Sequence, residues 1–249
     1  MDVLNINTCD ELTQVIESGK AKIAVIGMGY VGLPLAIEFA SKNFAVTGVD
    51  IDIERIGKLN KGNNYIFDDQ GQLGKVVECG NLKATDDFSC IKDADCICIC
   101  VPTPLNRHRE PDLKYVINAA GMVSKYLKKG QLVTLESTTY PGTTEEVIMP
   151  ILEKTGLKAG KDFFLAFSPE RVDPGNQNFN VKNTPRVVGG VTPECTKTAV
   201  ALYSKIIDKV VKASSTRVAE MEKLYENIFR AVNIALVNEL ALLGKKMDI

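Results

Sequence analysis

A glycine-spaced turn constrains this chain more than any other feature. Gly27-Met28-Gly29-Tyr30-Val31-Gly32 follows the apolar run Ile23-Ala24-Val25-Ile26 and opens a helical stretch from Tyr30 to Lys42. A second apolar run, Ala45 to Val49, leads directly into Asp50. Strand, glycine turn, helix, strand and acid, in that order, make a βαβ unit of the kind that binds a dinucleotide. Each glycine has its own task. Gly27 makes the tight turn, Gly29 lets the backbone approach a pyrophosphate, and Gly32 lets helix and strand pack closely. The helix N-terminus, beside Tyr30 and Val31, then offers the phosphates an anion site.

Asp50 stands where an acid accepts hydrogen bonds from the adenosine ribose hydroxyls and repels a 2′-phosphate, which favours NAD over NADP. Arg55, close enough to join the same site, is the one feature leaning the other way.

The pattern beyond this unit repeats. Short apolar runs at Cys96 to Val101, Leu132 to Leu135, Phe163 to Phe167 and Arg186 to Val188 alternate with helix-like segments. Such alternation predicts an α/β fold, a doubly wound, Rossmann-type, mostly parallel sheet. Ahead of it, over residues 1–20, Thr8 and Glu11 form a capping-box pattern followed by Leu12, Val15 and Ile16 at helical spacing, so a short leading helix is expected. The Rossmann domain is assigned to residues 21–214. From about Ser215 a single long helical stretch runs to Ile249, with Leu224, Ile228, Val232, Ala235, Leu236 and Leu243 at three- and four-residue steps. Over residues 231–243 it is apolar on several faces and needs a partner surface, which predicts a homodimer through this helix.

Composition removes several function classes. Lys and Arg number 30 against 31 Asp and Glu, so no net field draws the chain to nucleic acid or an anionic membrane. No run approaches the roughly 18 consecutive apolar residues of a spanning helix, and the first residues are acidic and polar, so a cytoplasmic protein with no membrane partner is expected. The single histidine, His108, lies in a Pro- and Arg-rich stretch, which disfavours a Ser-His-Asp triad or a His-rich metal site. Seven cysteines show no regular framework and read as free thiols. Cys96, Cys98 and Cys100 alternate along one strand, but with no fourth ligand in view they read as small buried hydrophobes, and no metal is assigned.

Five further motifs carry a family resemblance. They are the Tyr-Val-Gly-Leu-Pro continuation of the fingerprint to Pro34, Val101-Pro102-Thr103-Pro104, Glu136-Ser137-Thr138-Thr139-Tyr140-Pro141-Gly142, Ser168-Pro169-Glu170-Arg171, and Lys223 with Asn227. With them the chain resembles the UDP-glucose and GDP-mannose dehydrogenase family from about Ala21 onward. The resemblance implies oxidation of a sugar C6 alcohol to a carboxylate in two hydride transfers to NAD, with a cysteine thioester between them. Cys100 to Asn106, Arg109-Glu110-Pro111-Asp112, Leu135 to Glu146 and Ser168 to Asn176 are most similar to members acting on UDP-N-acetylglucosamine. UDP-glucose and UDP-N-acetylmannosamine are the alternative UDP-sugar substrates. Pro174 stands where relatives that oxidise UDP-glucose often carry a second Glu.

The resemblance also implies roles. Lys223 and Asn227 lie four residues apart on the long helix and share a face. Lys223 would transfer a proton and hold an oxyanion, Asn227 would orient it, and Arg230 would contact the substrate. Glu170 would activate the water that hydrolyses the thioester, with Arg171 and Val172 lining the substrate site. Thr103 and Thr138 would turn their hydroxyls to the cofactor. Thr143, with Glu146 three residues on, is read instead as a capping box. Cys195, after Thr192-Pro193 at a helix start, is not taken as the nucleophile, which in the family lies in a Gly-rich segment downstream of the long helix. That cysteine and the family's UDP-binding domain are expected beyond Ile249, so the chain is read as an N-terminal portion that binds NAD without completing the reaction. The other reading is a non-catalytic NAD-binding dimerisation module.

Overall fold

The computed structural model describes residues 8–66, 71–171 and 181–249. Val172 and Pro174 lie outside the described residues.

Helix α1 (Cys9–Glu17) opens with the expected reciprocal cap, Thr8 to the Glu11 amide and the Glu11 side chain back to the Thr8 amide. Its buried face, Leu12 and Ile16, packs on α7 (Pro193–Tyr203). The βαβ unit follows as β1 (Lys22–Ile26), α2 (Gly32–Ser41) and β2 (Ala45–Val49). Then come α3 (Ile53–Asn60), α4 (Gln72–Glu78), β3 (Leu82–Thr85), β4 (Cys96–Ile99), α5 (Lys114–Ser124) and β5 (Leu132–Leu135). A single wide turn (Thr144–Ile148) runs into the short α6 (Met149–Leu152), followed by β6 (Phe164–Phe167), β7 (Arg186–Gly190), β8 (Val210–Lys212) and the long α8 (Thr216–Lys246).

The eight strands form one sheet in the order β3-β2-β1-β4-β5-β6-β7-β8. All pairs are parallel except β6 with β7. The first six strands take the doubly wound Rossmann order, and the order reverses between β1 and β4, where such sheets receive their ligands. Central strands β4, β5 and β6 are buried on both faces, which explains their unbroken apolar runs. Two apolar layers result, one on each side of the sheet. Cys96, Cys98 and Cys100 all point into the layer that holds α2 and α7. Burial pushes their thiols upward, so they stay protonated.

One sequence expectation, the Thr143 cap, is corrected, and two features are added to the reading. β3 and β8, the two edges of the sheet, were not anticipated, and β7 enters antiparallel to its neighbour. Thr143 makes no capping bond to Glu146; its hydroxyl donates to the Tyr140 carbonyl at 2.6 Å, and Glu146 instead takes Arg217 from α8. Finally, α8 is long enough and, in one stretch, apolar enough (mean hydropathy 1.2) to cross a membrane by length and composition alone. The count of consecutive apolar residues missed this because polar residues interrupt the stretch. Val232, Ile234, Leu236, Val237 and Leu240 are exposed there, while Thr216, Ala219 and Glu220 at its start are buried against the sheet.

Candidate active site

The fingerprint turn sits at the carboxyl end of β1. Gly27 adopts a left-handed φ of +89°, and a Cβ on Gly32 would stand 1.9 Å from the Gly27 carbonyl oxygen, so the first turn of α2 lies against the strand end as only glycine permits. A Cβ on Gly29 would meet no atom within 4 Å, which leaves that side of the turn open to a ligand. Helix α2 starts without a side-chain cap; Leu33 donates to the Gly29 carbonyl at 3.0 Å and Pro34 has no amide hydrogen, so in its first turn the Gly32 amide is the one left for an anion. Tyr30 is exposed and Val31 half-buried beside this opening.

Asp50 directly follows β2 and is buried, with its carboxylate placed by the backbone. Oδ2 accepts the Met28 amide at 2.8 Å and Oδ1 the Asp52 amide at 3.0 Å. Arg55, on α3, donates to Oδ2 at 3.0 Å. These bonds use three of the roughly four acceptor positions of a carboxylate, leaving room for a ribose hydroxyl. Glycine turn, uncapped helix and a held acid fit a dinucleotide.

Thr103 follows β4, and its hydroxyl donates to the Thr138 carbonyl at 2.7 Å. The pair thus ties the loops after β4 and β5 together, the Thr103 hydroxyl keeping its acceptor lone pairs and Thr138 remaining exposed.

Past the carboxyl end of β6, beside the amino end of the antiparallel β7, lies a second set of polar groups. Lys223, on α8, donates to the Glu170 carbonyl at 2.6 Å. Burial lowers the pKa of its ammonium below the ordinary lysine value, with Arg230 and Arg171 adding to the effect and Glu170 opposing it. Asn227, one turn further, accepts a hydrogen bond from Arg230. Arg171 is clamped to the same helix by Glu222, at 3.1 Å, and Glu226. Lys223, Asn227 and Arg230 of α8 and Glu170 and Arg171 of the loop after β6 therefore share one network of polar contacts.

The residues that sequence reasoning missed lie beneath Glu170. Arg186, almost wholly buried, pairs with Glu136, donates through Nε to the Ser168 hydroxyl at 2.8 Å, and reaches Glu170 Oε2 at 3.4 Å. Tyr203 donates to Glu136 and lies under the Arg186 guanidinium, 4.6 Å from ring centre to cation. Burial pushes Glu136 upward and Arg186 draws it back. Around Arg186, burial opposes the charge, yet Glu136 and Glu170 together hold the guanidinium protonated. The signal was present in Glu136 of the Glu-Ser-Thr-Thr motif and in the charge opening the otherwise apolar Arg186 run, but no sequence spacing joins them.

Helix α8 also binds the cofactor side of the sheet. Glu220 accepts the Gly142 amide at 2.6 Å and the Thr144 amide at 2.8 Å, and Arg217 pairs with Glu145 and Glu146. One helix thereby connects the loop after β5 with the loop after β6.

Comparison with known proteins agrees with this architecture. Residues 21–207 match the NAD binding domain of the UDP-glucose/GDP-mannose dehydrogenase family, and residues 217–249 match its central domain. The chain is 42% identical over 230 residues to a UDP-N-acetyl-D-glucosamine 6-dehydrogenase of Pseudomonas aeruginosa, covering 92% of this chain and 54% of that protein. It is 41% identical over 230 residues to a UDP-N-acetyl-D-mannosamine dehydrogenase of Pyrococcus horikoshii, with coverages of 92% and 55%. The solved structure of a UDP-D-ManNAc dehydrogenase from Pyrococcus horikoshii superposes with a TM-score of 0.87 at 42% identity, covering 92% of this chain and 55% of that one. The chain spans about half the length of the curated relatives it matches. Fingerprint, strand order and sequence similarity agree on NAD as cofactor, and the chain belongs to the UDP-glucose/GDP-mannose dehydrogenase family of nucleotide-sugar oxidoreductases.

Proposed function

We propose that the chain is the cofactor-binding part of an NAD-dependent dehydrogenase that oxidises the C6 alcohol of UDP-N-acetylglucosamine to the carboxylate. The observation that carries the reading is the approach of Lys223 to Glu170 past the carboxyl end of β6, the same edge of the parallel strands at which the fingerprint turn ends β1. NAD, when bound, supplies the hydride acceptor. Lys223, its ammonium destabilised by burial, is suited to releasing and taking up a proton at the sugar oxygen and to stabilising negative charge there. Asn227 and Arg230, hydrogen-bonded to each other, orient the sugar from the same helix, and Arg171 lines its site, with Val172 assigned there by the resemblance alone. Glu170, with its carboxylate beside Arg186, activates the water that releases the acid. Thr103 and Thr138 border the cofactor.

The choice of sugar rests on Pro174 and on the motif similarities given above; UDP-N-acetylmannosamine, the substrate named for several relatives, is the competing assignment. In this reading residues 21–214 hold the cofactor and residues 215–249 begin a helical dimerisation element. Two copies of α8 cover each other's exposed apolar residues, forming a homodimer in the cytoplasm, where seven free cysteines remain reduced. Asn227, Asn233 and Glu239 along the same helix favour a protein partner over lipid, and the reading includes neither a nucleic-acid nor a membrane partner.

The test is NADH formation from NAD and each UDP-sugar, by the 249-residue chain and by the chain joined to the C-terminal half of a family member. Turnover with UDP-N-acetylglucosamine only in the joined form is expected, and Glu170→Gln in that form should accumulate acyl-enzyme. Preference for UDP-N-acetylmannosamine overturns the substrate, and no turnover with any UDP-sugar overturns the activity in favour of a non-catalytic NAD-binding module.

A further inference from the structure

The polar groups around Asp50 close into a ring, and one member of it has no part in the reading above. Tyr65, in the turn after α3, donates its hydroxyl to the Met28 carbonyl at 2.7 Å. Met28 returns to Asp50 through its amide at 2.8 Å, and Arg55 meets the same carboxylate oxygen at 3.0 Å. The ring is completed by the Arg55 guanidinium, whose carbon lies 5.7 Å from the centre of the Tyr65 ring. Burial raises the pKa of the Tyr65 phenol above its ordinary value, so it remains a donor.

Arg55 is the least anchored member. Its side chain is 36% exposed and its single close charge contact is one oxygen of Asp50, with the nearest Asp52 oxygen at 3.8 Å. An arginine held in one place gives up rotamer freedom, which a partly exposed ion pair does not offset alone. The face of Tyr65 supplies a second, independent contact. The Tyr65 hydroxyl in turn fixes the ring against the fingerprint backbone, so the position of Arg55 is referred to the same turn that holds the pyrophosphate.

We propose that Tyr65 is a positioning residue for the adenosine ribose: its ring and hydroxyl hold Arg55 against Asp50 so that guanidinium and carboxylate read the ribose hydroxyls as one fixed unit. The proposal rests on the assignment of Asp50 and Arg55 to the ribose.

Calorimetric titration of NADH, and of its 2′-deoxyribosyl analogue, into the parent chain and four variants tests it. The variants are Tyr65→Phe, Tyr65→Leu, Arg55→Ala and the double Tyr65→Leu/Arg55→Ala. For NADH, Tyr65→Leu is expected to weaken binding about tenfold and Tyr65→Phe, which keeps the ring, about threefold. In the Arg55→Ala background the same Tyr65→Leu change should cost less than about twofold, because the contact it supported is gone. The analogue should bind the parent and Tyr65→Leu nearly alike. A purely structural role for Tyr65 gives losses that add across the two positions and are the same for both ligands, and that result overturns the proposal. An Arg55→Ala chain that binds NADH as the parent does overturns the ribose assignment, and the proposal with it. Should Tyr65→Leu melt early, a Tyr65→Phe/Arg55→Ala chain decides by the same comparison.

Discussion

The cofactor end and the proposed substrate end of the site are built by opposite means. At the cofactor end the parts are backbone groups and one acid, joined over short stretches of chain: Met28 to Asp50 across 22 residues and Arg55 to Asp50 across five. At the proposed substrate end the parts are charged side chains brought from afar, Lys223 to the Glu170 carbonyl across 53 residues and Arg186 to Glu136 across 50. Backbone amides at a glycine turn carry fixed partial charges that need no counter-ion. Buried side-chain charges persist only while every partner is present. The first kind of site is specified locally and tolerates change elsewhere. The second depends on the whole sheet and on the seating of α8.

The largest expected effect sharpens that contrast. Arg186→Met leaves Glu136 buried beside Tyr203 without its counter-charge, and urea unfolding should show a loss of about 3–5 kcal/mol. The paired change Glu136→Gln/Arg186→Met should recover most of it, since both charges leave together. A single variant within about 1 kcal/mol of the parent, below that range, breaks the claim that the substrate end is held by charge compensation.

Next comes Gly32→Ala, whose new Cβ meets the Gly27 carbonyl oxygen at 1.9 Å. Overpacking of this kind costs about 1–3 kcal/mol, and NADH binding should disappear from a titration because the turn must open. Retained binding shows that close approach of helix and strand is not what forms the cofactor end.

Asp50→Asn keeps the shape of the acid and removes its charge. NADH affinity should fall about tenfold, as for a charged hydrogen-bond acceptor replaced by a neutral one, and the discrimination against NADPH should narrow. An unchanged ratio of the two affinities removes Asp50 from the ribose site.

The smallest effect is one of pH. The pKa of Lys223 is lowered, first by burial and then by Arg230, from the ordinary lysine value of 10.5. The folded chain gives up this proton before the unfolded chain does, so the contribution of Lys223 to stability rises with pH across the window below 10.5. Lys223→Met should therefore gain most relative to the parent at neutral pH, and the difference should shrink as pH approaches 10.5. A difference constant with pH contradicts the assignment of a desolvated ammonium.

The same contrast decides what could be read from the sequence. β1, β2 and β5 match their apolar runs nearly residue for residue because they are buried and continuous. β3 alternates buried Leu82 and Ala84 with exposed Lys83, and β8 is three residues with an exposed Val211, so neither edge strand presents a run. The direction of β7 carries no sequence mark at all. In the site, Gly27, Gly29, Gly32, Asp50 and Arg55 were legible from spacing, because a turn and its flanking strands are local. Lys223 with Asn227 was legible as one helix face and Glu170 as a strand-end acid, yet the Lys223–Glu170 contact itself is tertiary. Glu136, Arg186 and Tyr203 stayed hidden because a buried charge network leaves no period, only isolated polar residues in apolar surroundings. Thr143 misled for the converse reason: a local capping pattern was overridden when α8 brought Arg217 to Glu146.

The most direct test of the central claim, that the cofactor end is complete within these 249 residues and built for NAD, is calorimetric titration of NADH and NADPH into the parent chain. One NADH site per chain is expected, with NADPH binding weaker by about tenfold or more, the effect of one carboxylate facing a 2′-phosphate. NADPH bound as tightly as NADH, or no binding of either, contradicts it.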